Sequence, residues 1–443
     1  MANGAGSPSQ LPGFSRHAGP VRRAFWGLAD QALSSLTNFV LAIAIARQVA
    51  PVQFGAFSLA FAAYLVALSI SRALATDPLS IRYSARGSDE WRTASAKATG
   101  MALVIGIAGG AVCGLGAVVI GGDVGMALAA LAVGLPGLLL QDAWRYVFFA
   151  ARRGSAAFAN DLVWTVALGG ALVLVTVAHS ASITTFIIAW AAGGAAGAIF
   201  GIAQTRLLPA PLRARLWLRE HLDIAPRLAL EALVLSGVQQ VTLALVGIVA
   251  GLAAVATVRA GQVLMNALNI ATYGIFLFAV PEGVRMLRRS SGALLRLCLV
   301  ISGGLAAISF LWTGVLLALP DQIGLLLLGE TWATARHVIL PVGVAQAAAG
   351  VQMGAVVGLR ALATARRSLR ARGMSSTLFL TGGITGANLG GAFGAAWGIA
   401  IGVTSGCLLW WYQLLRAMAD ANQTARPNPL PGESTSARNG PAD

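Results

Sequence analysis

The segment Arg259–Tyr273 (RAGQVLMNALNIATY) lies in a long apolar stretch with no other charged side chain nearby. Its polar members, Arg259, Gln262, Asn266, Asn269 and Tyr273, step alternately by three and four. On an α-helix those steps keep all five on one face, with Val263, Leu264, Leu268, Ile270 and Ala271 on the others. An arginine at the centre of hydrocarbon costs about 2.5–3.5 kcal/mol on insertion scales. The stripe is therefore expected to face a wet cavity or another polar helix. As helix–helix glue, Asn and Gln would hydrogen-bond across an interface. As a cavity wall, the amides offer sugar hydroxyls both donors and acceptors. The guanidinium offers a phosphate two parallel hydrogen bonds. The arginine tips the reading toward a pathway lining.

Three other segments carry polar residues at helical spacing. Asp30, Gln31, Ser34, Ser35 and Asn38 form one face of the first apolar segment. The seventh holds Glu231, Ser236, Gln239, Gln240 and Thr242. The fourth holds Gln141, Asp142 and Arg145, and Asp142 and Arg145 stand at i, i+3, where they can pair. Candidate substrate-binding residues are thus Arg259, Gln262, Asn266, Asn269, Tyr273, Asn38, Gln239 and Gln240. Asp30 and Glu231 lie near the starts of their segments. They read either as carboxylates favoured by a helix N-terminus or as ion-coupling or gate residues. Arg47 and Arg72 lie near segment ends and are expected to snorkel to the interface.

No enzyme constellation is present: there is no Gly-x-Ser-x-Gly, Walker A loop or His-Glu-x-x-His. No catalytic residue, cofactor or metal site is expected. The three cysteines, Cys113, Cys298 and Cys407, sit in apolar segments without metal-ligand spacing. Lacking an ATP-binding loop, the chain would draw on an ion gradient, the membrane potential or the gradient of its cargo.

The elements that must position these residues are membrane spans. Of 443 residues, 57% are hydrophobic and 11% charged, with a mean hydropathy of +0.75. A soluble domain carries about 25% charged residues. The fold class is an all-α polytopic membrane protein. About twelve apolar segments are long enough to cross a bilayer at about 20 residues each. They fall near 25–46, 52–74, 98–120, 125–149, 160–178, 184–204, 228–250, 252–280, 293–319, 337–359, 375–393 and 395–417. Of the 31 Lys and Arg residues, all but Arg47, Arg259 and Arg336 fall in connections or span ends on one side. That asymmetry predicts a cytoplasmic-membrane protein with both termini inside. It accounts for the net charge of +15 as an orientation signal, with attraction to membrane lipid as a by-product and no nucleic-acid partner. The outer connections are too short for a soluble catalytic site.

The basic stretch 206–227 divides the spans six and six. The expected organisation is a disordered tail at 1–24 without a signal-peptide h-region, a six-helix lobe at 25–205, a basic linker at 206–227, a second six-helix lobe at 228–418 and a disordered tail at 419–443. The halves echo each other: Asp30 and Glu231 open the first and seventh spans, and Ala151-Arg152-Arg153 matches Ala365-Arg366-Arg367. Parallel repeats of this kind place a cargo site at the midplane between halves.

Leu33-Ser34-Ser35-Leu36-Thr37-Asn38-Phe39, Arg47-Gln48-Val49-Ala50-Pro51-Val52-Gln53-Phe54-Gly55, Leu328-Gly329-Glu330-Thr331-Trp332 and Ala365-Arg366-Arg367 resemble bacterial polysaccharide flippases. These are the Wzx-like members of the multidrug/oligosaccharidyl-lipid/polysaccharide exporter superfamily. The resemblance covers most of 25–417. It implies two six-helix lobes around a central V-shaped cavity lined by spans one, two, seven and eight. It also implies cationic cavity residues that hold substrate phosphates, a role that Arg259 fits best, with Arg145 and Arg47 behind it. The implied function is moving an undecaprenyl-pyrophosphate-linked oligosaccharide from the inner to the outer leaflet for cell-surface polysaccharide export. A lipid-linked glycan would be the substrate, and polysaccharide polymerase and export components candidate partners. A multidrug or cation-coupled exporter of the same superfamily is the alternative. A membrane-bound glycan polymerase or ligase is a third class, and it would need a sizeable outer loop that the sequence lacks.

Overall fold

The computed structural model describes residues 20–84 and 88–424. Beyond the part of α1 that begins at Pro20 and the part of α16 that reaches Thr424, the tails expected at 1–24 and 419–443 lie outside the described residues. Every regular element among the described residues is helical. In chain order these are α1 (Pro20–Gln48), α2 (Pro51–Ser71), α3 (Asp77–Tyr83), α4 (Ser88–Ile120), α5 (Gly122–Ala150), α6 (Gly154–Val177), α7 (Ile183–Thr205), α8 (Ala214–Glu220) and α9 (Ala225–Ala232). They continue with α10 (Val238–Ala250), α11 (Leu252–Met265), α12 (Ala267–Arg289), α13 (Ser291–Leu317), α14 (Asp321–Leu328), α15 (Thr331–Ala361) and α16 (Ala365–Thr424).

Nine described helices are long and apolar enough to cross a membrane. One of them, α16, is two helices, because Gly390 and Gly391 leave helical geometry and Gly391 takes a φ of 56°. Two further crossings are compound. A π-helical turn, Leu233–Gly237, joins α9 to α10, and α11 runs into α12 through a break at Asn266, whose N–H donates to the Val263 carbonyl at 3.1 Å. At that break Trp312 Nε1 donates to the Leu264 carbonyl at 2.9 Å. The result is twelve crossings, in the order that the hydropathy pattern predicts.

Helices α1–α7 pack together, and α10–α16 pack together. Close packing depends on glycine. In the α16 hairpin a Cβ on Gly382 would lie 2.2 Å from the Gly398 carbonyl oxygen, and one on Gly386 would lie 2.1 Å from that of Gly394. Small residues of this kind let backbones approach where lipid offers no hydrophobic drive between helices. The basic stretch 206–227 is folded against α4. The Ala210 N–H donates to the Ala96 carbonyl at 2.8 Å, and Lys97 pairs with Glu220 at 2.7 Å.

The second span is interrupted by another π-helical turn, Arg72–Thr76. Pro78 follows, and it has no N–H for the carbonyl four residues back. That carbonyl, of Leu74, accepts instead from Trp217 Nε1 at 3.0 Å. The two halves meet along α2 against α10 and α11, with α1 touching α12 and α14. Away from the arginine-rich connections they touch backbone to backbone. A Cβ on Gly55 would lie 2.1 Å from the Leu252 carbonyl oxygen, and one on Gly329 would lie 2.9 Å from that of Arg47. The turns after α5 and α15 share one geometry, with Arg152 and Ala363 left-handed at φ 59° and 54°.

Candidate functional site

Two polar centres sit inside the helical bundle, one in each half. The first grows from α5. Asp142 and Arg145 stand one turn apart and are buried, but their mutual contact is long, at 3.4 Å. Their main partners come from other spans. Arg72, at the start of the π-helical turn, grips Asp142 with Nε at 2.9 Å and Nη2 at 2.7 Å. The planar fork matches both carboxylate oxygens, and the same guanidinium lies 4.9 Å from the Tyr146 ring centre. The expectation that Arg72 snorkels to the interface is corrected: a buried carboxylate on α5 holds it inward.

Arg145 Nη2 donates to Asp30 Oδ2 of α1 at 2.5 Å. Arg145 Nε lies 2.9 Å from Asp161 Oδ1 of α6, off the N–H axis, so this contact is an ion pair without a hydrogen bond. Gln141 Nε2 donates to Asp161 Oδ1 at 2.7 Å and to Asn160 Oδ1 at 3.3 Å. Asn160 in turn donates to the Gly197 carbonyl at 2.8 Å and to Gln204 Oε1 at 3.2 Å. Three carboxylates thus face two guanidiniums, and Asp30 Oδ1 and Asp161 Oδ2 are buried without a hydrogen-bond partner. A cavity of about 420 Å³ adjoins this cluster, lined by Asp30, Arg72, Ser80, Ser84, Arg145 and Tyr146 among others. Asp30 lies ten residues inside α1, so the helix N-terminus does not explain it.

The second centre is a cavity of about 250 Å³ walled by α10, α11, α15 and α16. Arg259, Gln262 and Asn266 reach it from the stripe, Gln239 and Gln240 from α10, and Gln346 from α15. Arg259 is half-buried. Its guanidinium lies 5.0 Å from the ring centre of Phe61 on α2, and Nη1 is 3.5 Å from Gln262 Oε1. A cation over a desolvated aromatic face is stabilised by the ring quadrupole. No carboxylate lines this cavity among the described residues.

Of the residues singled out in the sequence, Arg259, Gln262, Asn266, Gln239 and Gln240 share this one cavity. The side chains of Asn269 and Tyr273 lie outside the described residues. Asn38 is elsewhere, its amide donating to the Ser34 carbonyl of its own helix at 2.9 Å. The polar face of α1 turns toward α5 and α6 instead, where Asp30 meets Arg145 and Thr37 Oγ1 lies 2.8 Å from Thr165 Oγ1. The cause is electrostatic: a buried guanidinium needs carboxylates around it, and α1 supplies one. Glu231 is exposed and lines a third cavity, between α9, α15 and α16, with no contact to Asp30. Sequence reasoning missed Arg72, Asn160 and Asp161. Asn160-Asp161 in an otherwise apolar span was the available signal, but which span would answer it was not legible.

No family model matches the chain, and no curated protein matches its sequence. Solved structures do. The inward-facing conformation of a multidrug resistance MATE family transporter of the MOP superfamily superposes with a TM-score of 0.72 at 12% identity, covering 91% of this chain and 96% of that one. The lipid II flippase MurJ, in an inward closed conformation, superposes with a TM-score of 0.61 at 12% identity, covering 90% and 91%. The chain shares its fold with these two proteins. Against the outward-facing conformation of a MATE family transporter the TM-score falls to 0.55, at 13% identity and coverage of 91% and 96%.

Proposed function

We propose that this protein is a transporter of the cytoplasmic membrane, with both termini inside, that flips a lipid-linked oligosaccharide of the undecaprenyl-pyrophosphate type to the outer leaflet. The observation that carries this reading is the cavity around Arg259. Among the described residues it offers one guanidinium and several amides and no carboxylate. Amides bind hydroxyls as donor and acceptor, and a guanidinium binds a phosphate with two hydrogen bonds. A cationic drug would find no counter-charge there. With the inside negative, moving each phosphate charge outward gains about 2.3 kcal/mol per 100 mV. Arg259 would hold the anionic part of the cargo, with Gln262, Asn266, Gln239 and Gln240 around the sugar. Asn269, Tyr273 and Asn38 are proposed to join the pathway in other states of the cycle.

The test is flipping of a fluorescent undecaprenyl-pyrophosphate glycan in proteoliposomes. Arg259→Ala should lower the rate at least about tenfold, the loss of about 1.4 kcal/mol or more from a charge-assisted contact. Arg259→Lys should keep part of it, because an ammonium lacks the planar fork. Full flipping by Arg259→Ala would end the proposal.

A second reading, a cation-coupled multidrug exporter, is favoured by the other centre. Three carboxylates against two guanidiniums leave one negative charge to be balanced by a proton or cation, and Asp30 Oδ1 and Asp161 Oδ2 have no donor. The fold likeness to the MATE family transporter points the same way. Saturable, proton-driven efflux of an organic cation that Asp30→Asn abolishes and Arg259→Ala leaves intact would decide for it.

A further inference from the structure

We propose that the cavity between α9, α15 and α16 binds an anionic glycerophospholipid, with its phosphate headgroup on an arginine rim and an acyl chain along an apolar wall. The cavity encloses about 800 Å³ and shares no lining residue with the Arg259 cavity or the Asp30 cluster. Its rim carries Arg227 of α9, Arg360 from the last turn of α15 and Arg372 of α16, with Glu231 the one carboxylate among the described lining residues. Thr364 and Ser368, in the turn between α15 and α16 and just after it, add hydroxyls to the same rim.

The wall beneath the rim is apolar. Leu359 is fully buried, and Leu230 and Leu369 are 65% and 67% exposed. The mouth is therefore greasy on the side where a chain from the bilayer would enter. Trp410 forms the floor, buried, and the Arg372 guanidinium sits 5.7 Å from its ring centre. That stacking fixes one cation at the boundary between rim and wall. Three guanidiniums against one carboxylate select an anion. The leucines select an amphiphile over a free ion, because a soluble phosphate would leave them facing water. Basic pockets between spans on the arginine-rich side are suited to anionic headgroups, and with the termini inside, as proposed above, they face the cytoplasmic leaflet, whose surface is negative. The site is independent of the cargo, so it stands whichever transport reading holds.

The full-length protein, purified in detergent, would be titrated with phosphatidylglycerol or phosphatidylcholine carrying brominated acyl chains, which quench nearby tryptophan. Phosphatidylglycerol should quench saturably at a concentration at least about tenfold lower than phosphatidylcholine, as expected for charge-assisted contacts. Trp410→Phe should remove most of that saturable component. The double variant Arg360→Gln, Arg372→Gln should bring the two lipids together, and so should Leu369→Glu, whose exposed position keeps the fold intact if the double variant fails to fold. Inorganic phosphate at millimolar concentration should not compete. Equal binding of the two lipids, a preference that survives in Leu369→Glu, or displacement by inorganic phosphate would each overturn the assignment, the last in favour of a soluble anion.

Discussion

Replacing Arg145 by methionine should be among the most damaging single changes in the N-terminal half. Arg145 is buried, and it is the cation facing both Asp30 and Asp161. Asp142 would keep its bidentate partner Arg72, and Asp161 would keep Gln141, but Asp30 would lose its partner. Breaking a buried ion pair from one side costs about 3–5 kcal/mol, mostly because the remaining charge is stranded. Among the described residues Asp30 and Asp161 have no other cation within ion-pair distance, so the upper end applies. For a unit of 150–250 residues each kcal/mol moves the melting temperature by about 2–4 °C, so the expected fall is on the order of 10–20 °C. The chain supplies its own probe: Cys113, Cys298 and Cys407 are all buried, so a thiol-reactive dye reports unfolding. The companion variant Arg145→Met, Asp30→Asn, Asp161→Asn removes the stranded charges and should recover at least half of the loss, since replacing a whole buried ionic group is far milder than breaking it. An Arg145→Met protein melting within about 2 °C of the parent, or a triple variant no better than the single, would refute the reasoning.

Three further outcomes are expected. Gly398→Val should destabilise the α16 hairpin by about 1–3 kcal/mol or more, because a Cβ there would lie 1.9 Å from the Gly382 carbonyl oxygen; an unchanged dye-detected melting temperature would contradict it. Gly55→Val should force the halves apart beside Leu252 and speed thiol labelling of a Thr331→Cys reporter, a position fully buried in this arrangement; the same labelling rate in a folded protein would count against the close contact. The Trp332 indole N–H, and then Arg336, hold the Asp321 carboxyl below the usual carboxylate range. A depressed folded value means stability that is present above the ordinary carboxyl pKa, about 3.9, and lost as pH falls through the lower one. Asp321→Asn should therefore melt earlier at pH 7, with the gap closing toward pH 3, and a gap constant with pH would show that the charge is not involved.

The sequence by itself determined the class, the twelve crossings and the arginine-rich side, because hydrocarbon admits few polar groups and each span must announce itself as a continuous apolar run. It also determined that Arg259, Gln262 and Asn266 share a face, since helical periodicity is a local property, and Gln239 and Gln240 were legible in the same way. What lies across from a face is not local. Asp30 and Asn38 read as parts of one wet stripe, yet Asp30 is turned into the lobe by Arg145, and Asn38 caps a carbonyl of its own helix. Arg72 reads as a span-end residue, and only the packing of α2 against α5, with a π-helical turn that the residues Arg72–Thr76 do not advertise, brings it onto Asp142. Asp161 lies 131 residues from Asp30, and no spacing rule links them; they meet through one guanidinium because a buried charge must be answered by whichever span the fold brings alongside. The grouping of Arg227, Arg360 and Arg372 around one apolar hollow is likewise tertiary, since along the chain they look only like members of a basic side.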